Sequence, residues 1–446
     1  MPVPPGPRVR TAAPRSAARD RGRDLAGTRM EVVVGAVAHG GFCVARHEGR
    51  AVFVRHALPG ERVIALVVEG AEGDRFLRAD AVEVLEASPD RVEAPCPWSG
   101  PGRCGGCDWQ HATLDAQRRM KAAVVEEQLK RLAGLERKVA VEEVPGSPDG
   151  LGWRTRVQFA VDAEGRLGLR KNRSHEVVPV GRCAIAAPPV EQVGAEARRW
   201  PGMAGVEVIA ATGSADRAVI VTPQQGERVP LVEMDVPVSV LRDDGSGRTQ
   251  RIHGRAHVRE VAVGRTWKVS GSGFWQVHPA AAETLNAAVL EALAPQPGET
   301  AMDLYSGVGL FAAGLAAAVG PEGEVVAVES DPAACADATG NLADLPQVTL
   351  VQEKADQALA AAPDGFGADI VVLDPPRSGA SKAVVRGIAG LRPRAIAYVA
   401  CDPAALARDV AYFAEHGYRL GALRAFDLFP MTHHIECVAT LVPAPR

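Results

Sequence analysis

The stretch Ala301-Met302-Asp303-Leu304-Tyr305-Ser306-Gly307-Val308-Gly309-Leu310-Phe311 leaves an apolar strand, turns on two glycines and opens an alanine-rich helix. Glycine has no Cβ, so the backbone can turn sharply there and come close to a ligand that a side chain would exclude. The next strand, Val325-Val326-Ala327-Val328-Glu329, ends on a second acid 26 residues after Asp303. A carboxylate in that place can accept both ribose hydroxyls of a nucleoside. Gly307-Val308-Gly309-Leu310-Phe311-Ala312 also satisfies the G-x-G-x-x-A dinucleotide fingerprint. At this step a nicotinamide enzyme therefore stays open, as does a tight strand-helix turn that binds nothing.

Outward from the loop, apolar strands at 300–304, 324–328, 370–373 and 395–399 alternate with helices at 312–319, 331–342 and 382–390. That alternation predicts an α/β fold with a doubly wound parallel sheet. Asp374-Pro375-Pro376-Arg377 ends one of these strands. Residues just beyond the strand C-termini of such a sheet line its ligand crevice. The paired prolines stiffen the loop and remove two backbone donors, which leaves the Asp374 carboxylate free to face a ligand.

Cys401 lies just past the strand 395–399, on the same edge as Asp374, and Glu436 follows 35 residues later. A free buried cysteine is ordinarily a small hydrophobe. Here Asp402-Pro403 and a helix follow, and a helix N-terminus is expected to lower the thiol pKa. A thiol and a carboxylate downstream of a nucleoside-type glycine loop suggest methyl transfer to a carbon that is not nucleophilic by itself, of which uracil C5 is the common case. A thiolate adding at C6 turns C5 into an enolate carbon, and a base must then remove the C5 proton. Hydride transfer needs neither Asp374-Pro375-Pro376 nor a following thiol.

The rest of the chain adds two expected units. Residues 30–88 carry short strands of period two broken by Gly40-Gly41, Pro59-Gly60 and Gly70, which predicts a small closed β-barrel of the kind that binds oligonucleotides, or one used only as an appendage. Residues 89–270 hold an irregular cysteine segment, a helix from about 114 to 135, and a β-rich stretch with hairpin turns at 163–165 and 243–245. Residues 271–446 form the α/β domain. Residues 1–29 carry seven arginines against Asp20 and Asp24 and are expected to be a disordered basic arm. At 446 residues the chain can hold two or three cores, and its net charge of -4 neither announces nor excludes a polyanion partner. No apolar run is long enough to span a bilayer. Eight cysteines argue for a reducing, cytoplasmic setting and for ligand or catalytic roles over disulfides. Three of them, Cys96, Cys104 and Cys107, cluster.

Taken in order, these motifs resemble the RNA (uracil-C5-)-methyltransferase family from about residue 30 to 441. The barrel resembles its TRAM domain. The cysteine motif appears as Cys96, seven residues, then Cys104-Gly105-Gly106-Cys107-Asp108-Trp109, with a fourth cysteine in Val180-Gly181-Arg182-Cys183. Phe274-Trp275-Gln276-Val277-His278 matches the substrate-side motif, and Pro430-Met431-Thr432-His433-His434-Ile435-Glu436 the terminal one. The resemblance implies a Rossmann-like class I methyltransferase domain that uses S-adenosyl-L-methionine. It makes Cys401 the nucleophile and Glu436 the base, with Gln276, Tyr305, Glu329 and Asp374 on the methyl donor. It makes Cys96, Cys104, Cys107 and Cys183 the ligands of a [4Fe-4S] cluster, where spacing alone fits zinc equally. Asp402, Ala405 and His278 stand where the family commonly has Asn, Thr and Asn. Seven residues separate the first two cysteines where five are usual. Asp402 adds a negative charge beside the sulfur, which opposes ionisation.

The expected activity is C5-methylation of a uridine in structured RNA by a monomer, with ribosomal RNA favoured, 23S rRNA above all, and transfer RNA the alternative. The target base would be extruded from its stack. An exocyclic amino-methyltransferase would need no thiol, and a noncatalytic iron-sulfur RNA-binding protein would bind the donor without turnover. His433 and His434 could suggest a metal, but adjacent histidines on a strand point to opposite faces, so a turn residue and a packing contact are expected, and Cys43, Cys335 and Cys437 are expected as plain core or surface thiols.

Overall fold

A computed structural model describes residues 22–245, 248–271, 273–363 and 365–445; the first 21 residues of the basic arm lie outside it. No helix among the described residues is long and apolar enough to cross a membrane.

The barrel is closed by five strands, Arg29–Val37, Cys43–His47, Arg50–Arg55, Arg62–Glu69 and Phe76–Glu86, the fifth lying between the third and fourth. Strict alternation builds it: Met30, Val32 and Val34 point inward while Arg29, Glu31 and Val33 face water. Residues 22–28, taken from sequence as the end of the arm, run along the barrel, with Leu25 and Gly27 N–H groups donating to Gly70 and Val67 carbonyls at 2.9 Å.

The helix Leu114–Ala133 starts where the Thr113 hydroxyl accepts from the Ala116 N–H, and stops at Gly134, whose φ of 66° turns the chain left-handed. It serves two cores. Met120 and Val124 pack into the barrel, and Val125 and Leu129 into the α/β domain. Beyond it lies the β-rich region, a seven-stranded sheet running from Thr249–His253 at one edge to Val177–Pro179 at the other, with a separate hairpin of His257–Ala262 and Arg265–Ser270.

The third sheet has eight strands in the order Val348–Gln352, Glu324–Glu329, Thr300–Leu304, Ile370–Leu373, Ala395–Ala400, Glu436–Pro443, Tyr418–Phe426 and Val141–Glu142. The four residues of Ile370–Leu373 and six of Ala395–Ala400 are buried throughout, as strands covered by helices on both faces must be. The order reverses between Thr300–Leu304 and Ile370–Leu373, and ligands of such sheets bind at that switch point. Helix Leu310–Val319 begins two residues before its predicted start, directly on Gly309.

Candidate active site

Sheet register brings Cys401 and Glu436 together. Ala400 is paired with Cys437 in the antiparallel ladder of Ala395–Ala400 and Glu436–Pro443. Cys401 and Glu436 flank that last pair at the same end of the two strands, close enough for the Glu436 charge to act on the sulfur. Leu373 is paired with Tyr398 on the neighbouring strand, so Asp374 emerges at the same edge. The Cys401 thiol is pushed up to about 12, by burial first and then by the charges of Glu436 and Asp374; Asp402 adds to the rise and Arg377 opposes it. This corrects the expectation of a lowered pKa. The helix Pro403–Glu415 does begin beside Cys401, but the Asp402 carboxylate caps it, accepting the Ala405 N–H at 2.8 Å. The field of the helix end is therefore met by a carboxylate and not by the sulfur. Burial and the nearby Asp374 hold Glu436 well above the usual carboxylate range, while Arg377 pulls it back. Burial lifts Asp374 to about 7.

The glycine loop is held by its own acid. Glu329 Oε2 accepts the Gly307 N–H at 2.9 Å, and Oε1 accepts those of Ser330 and Asp331 at 2.6 and 2.7 Å. Gly309 has a φ of 98°, and a Cβ there would come within 2.8 Å of Leu342 Cδ1. Tyr305 adopts a φ of 65°, which side chains rarely tolerate and which marks a strained, position-determining residue. A Cβ on Gly307 would meet no heavy atom within 4 Å, so that side of the loop is open. Below it Asp303 is fully buried, neither carboxylate oxygen makes a well-formed hydrogen bond, and burial lifts it to about 8 against the pull of the Ala312 N–H. An open glycine turn, a strained Tyr305 and an under-satisfied buried carboxylate fit a polar, nucleoside-bearing donor. Sequence reasoning used Asp303 only as the start of a motif; its isolation had no sequence signal. Gln276 is buried just before the helix Ala281–Leu293, and Trp275 shares a core with Val308, Leu310 and Phe311 of the loop. Phe274 alone of this motif is 69% exposed.

Beside Cys401 lies a cavity of about 110 Å³. Arg377, Asp402, His433 and His434 line it from the α/β domain, and His39 and Gly41 line it from the barrel. The contribution of the barrel was not legible in the sequence. The two histidines lie in the loop before Glu436–Pro443, in line with a turn residue and a packing contact, with ring centroids 4.2 Å apart. His433 Nδ1 is 2.7 Å from Asp108, which also receives Arg55 at 3.3 Å.

A family model described as tRNA (Uracil-5-)-methyltransferase matches residues 265–443, and a TRAM-domain model matches 23–82. Two proteins named as RNA methyltransferases are 57% identical to the chain. The one from Streptomyces avermitilis aligns over 432 residues, 94% of this chain and 99% of its own length. The one from Streptomyces coelicolor aligns over 434 residues, 95% and 94%. The chain belongs to the RNA (uracil-5-)-methyltransferase family. Its fold matches the crystal structure of the Pyrococcus abyssi tRNA (uracil-54, C5)-methyltransferase in complex with S-adenosyl-L-homocysteine, at a TM-score of 0.69 and 24% identity over 93% of this chain and 100% of that one. The chain is thus an S-adenosylmethionine-dependent RNA (uracil-5-)-methyltransferase with a TRAM barrel.

The four cysteines that resemble cluster ligands all line one cavity of about 340 Å³, together with Trp98, Arg154 and His434. No carboxylate lines it; besides the four thiols, His434, Gln110 and Thr432 bring donor atoms to its wall. Among the described residues no three Cys, His, Asp or Glu side chains are arranged to hold a metal ion as they stand. Burial raises the Cys104 and Cys107 thiols and brings Cys183 to about 11. Cys43, Cys335 and Cys437 are buried, and Tyr398 lies under the sheet, its hydroxyl donating to Asp409 at 2.7 Å.

Proposed function

We propose that this methyltransferase modifies a uridine of ribosomal RNA, with 23S rRNA favoured, through a transient bond between Cys401 Sγ and uracil C6. The observation that supports the reading is the Ala400–Cys437 pair, whose flanking residues Cys401 and Glu436 lie at one end of the sheet with the Glu436 charge acting on the sulfur. Cys401 adds at C6 as the thiolate, and the charge that moves onto the uracil is held by nearby donors. S-adenosylmethionine, when bound, supplies the methyl group that C5 receives. Glu436 then takes the C5 proton, and the thiolate leaves C6 as the double bond returns. The sulfur ends as it began, so each methyl transferred releases one proton. Arg377 favours the ionised forms of both Cys401 and Glu436, which the cycle requires. Gln276, Tyr305, Glu329 and Asp374 would hold the donor, consistent with the open loop and the partly formed carboxylate cradle.

Cys96, Cys104, Cys107 and Cys183 would hold a [4Fe-4S] cluster. Four thiols on one cavity with no carboxylate among its walls support this, and closure of the thiols around iron would tie three segments together. The methylation cycle contains no electron transfer, so the role is in folding and RNA contact. Iron and sulfide analysis after anaerobic purification separates it from zinc.

RNA containing 5-fluorouridine blocks the final proton abstraction. Incubated with donor, it should yield a conjugate through Cys401 that the C401A variant does not form. Continued turnover on ordinary RNA with no conjugate would overturn the mechanism. The same architecture serves a transfer RNA in the Pyrococcus abyssi enzyme. The target is therefore decided by mass spectrometry of 23S and transfer RNA from cells lacking the gene, with the missing 5-methyluridine expected in 23S rRNA.

A further inference from the structure

The first hairpin loop of the barrel, residues 38–41, is a wall of the cavity beside Cys401. It is pinned there on three sides. Trp109 Nε1 donates to the Gly41 carbonyl at 3.2 Å. Gly41 lies so close to the terminal motif that a Cβ would stand 3.0 Å from His433 Cβ and 3.1 Å from Asp108 Cγ. His39 Nε2 lies 3.0 Å from Asp402 Oδ2.

Asp402 has two tasks at once. Its Oδ1 caps the helix Pro403–Glu415, and its Oδ2 faces His39. It also stands next to the reacting sulfur, where its charge opposes ionisation. We propose that His39 is a positioning residue for methyl transfer: it holds Asp402, and with it the Cys401 segment, against the barrel, and its charge offsets the carboxylate beside the sulfur. The proposal rests on Cys401 being the nucleophile.

The charges around His39 support a protonated ring. Its hydrogen bond with Asp402 raises its pKa above the usual value, burial works against this, and from the helix Leu114–Ala133 Arg131 lowers and Glu127 raises it. Cys401, Arg377 and His433 line the same cavity. Asp402 in turn is held low by His39 and by the Ala405 and Ala404 N–H groups, against the effect of burial. Below the ordinary pKa of histidine the pair is fully formed; as pH rises through the raised value the ring loses its charge and Asp402 is left uncompensated beside Cys401.

The test uses the full-length protein and three variants, H39A, H39Q and H39A/D402N. It follows carboxamidomethylation of the Cys401 peptide by mass spectrometry as a function of pH, with single-turnover methylation alongside. At neutral pH, H39A should alkylate about fivefold more slowly than the parent, with the gap closing at alkaline pH, because one uncompensated charge raises the thiol pKa by a fraction of a unit to a unit. H39Q, which keeps a hydrogen bond and cannot carry charge, should show the same slowing with normal thermal stability. Asn keeps the side-chain oxygen that caps Ala405 and removes the charge, so H39A/D402N should return to within about twofold of the parent. Parent-like alkylation in H39A, a double variant no faster than H39A, or a defect confined to the KM for RNA would overturn the proposal. A failure of the nucleophile reading would show separately, as absence of a 5-fluorouridine conjugate with the parent protein while the alkylation profile still responded to His39.

Discussion

In the proposed cycle Cys401 and Glu436 must both lose a proton before they act, since the thiol lies near 12 and the carboxyl well above its usual range. Water exclusion is the cause in both, and the same exclusion strengthens every charge interaction once RNA fills the site. Two outcomes follow for single residues. Glu436→Gln should leave addition and methyl transfer possible but slow release by about 10²- to 10⁴-fold, as loss of a general base does, so that a protein-RNA conjugate accumulates on ordinary RNA in denaturing gels. Single-turnover rates should climb with pH through neutrality, because Cys401, near 12, must reach the thiolate and Glu436, held well above its usual range, must lose its proton. Asp303 gives a stability prediction. Folding raises it to about 8, so the folded chain holds a proton that the unfolded chain has lost, and stability falls as pH rises from the ordinary aspartate value toward 8. Asp303→Asn should therefore raise the melting temperature by about 2–4 °C at alkaline pH and by less in acid, read by thermal melts.

The helix Leu114–Ala133 is the element on which the site hangs. Its Gln117 side chain donates to the Trp109 and Ala112 carbonyls and accepts the Met431 N–H at 2.7 Å, at a residue whose φ is 68°. One turn further on, Lys121 is buried at 0% exposure against Asp427 at 2%, with Nζ 2.5 Å from the carboxylate. The cysteine segment and the loop leading to Glu436 are thereby fastened to one rod. Lys121→Met should cost about 3–5 kcal/mol in urea unfolding, because it strands the Asp427 charge, and replacing both partners by apolar residues should cost much less. The existence of this helix was legible from its apolar spacing, but not the polar residues that tie it down. Nothing local in the sequence singles out Gln117 or Lys121, because Met431 and Asp427, which they meet, lie about 300 residues away.

Across the whole molecule, charge is distributed against its total. The net charge is -4, yet Arg55, Arg78, Arg103, Lys171 and Arg173 line a groove of about 400 Å³ between the barrel and the β-rich region, with Glu69 and Asp80 the acids facing them. On the barrel beside it, Phe53 and Phe76 meet edge to face with centroids 5.4 Å apart, and Arg78 lies over Phe76 at 4.8 Å. Cationic walls with an aromatic platform suit a single-stranded segment of RNA. Arg103→Glu with Arg173→Glu should weaken RNA binding and flatten its salt dependence by about 0.7 to 0.9 for each phosphate that is no longer neutralised, with single-turnover methylation at saturating RNA unchanged.

What the chain order determined by itself is local and periodic: the period-two runs of the barrel, the strand-helix alternation, the glycine turn, and the strand ends that carry Asp374 and Cys401. Those features follow from steric preferences and burial patterns within a few residues of one another. Tertiary structure alone decided that Cys401 and Glu436 meet at one end of the sheet, that Asp303 is buried without a well-formed hydrogen bond, that Asp402 takes up the helix end expected to serve the sulfur, and that a barrel loop closes the cavity beside Cys401. Each of these depends on register or on packing between segments far apart in the chain, and desolvation, which sets the acid-base state of the site, exists only once those segments have come together.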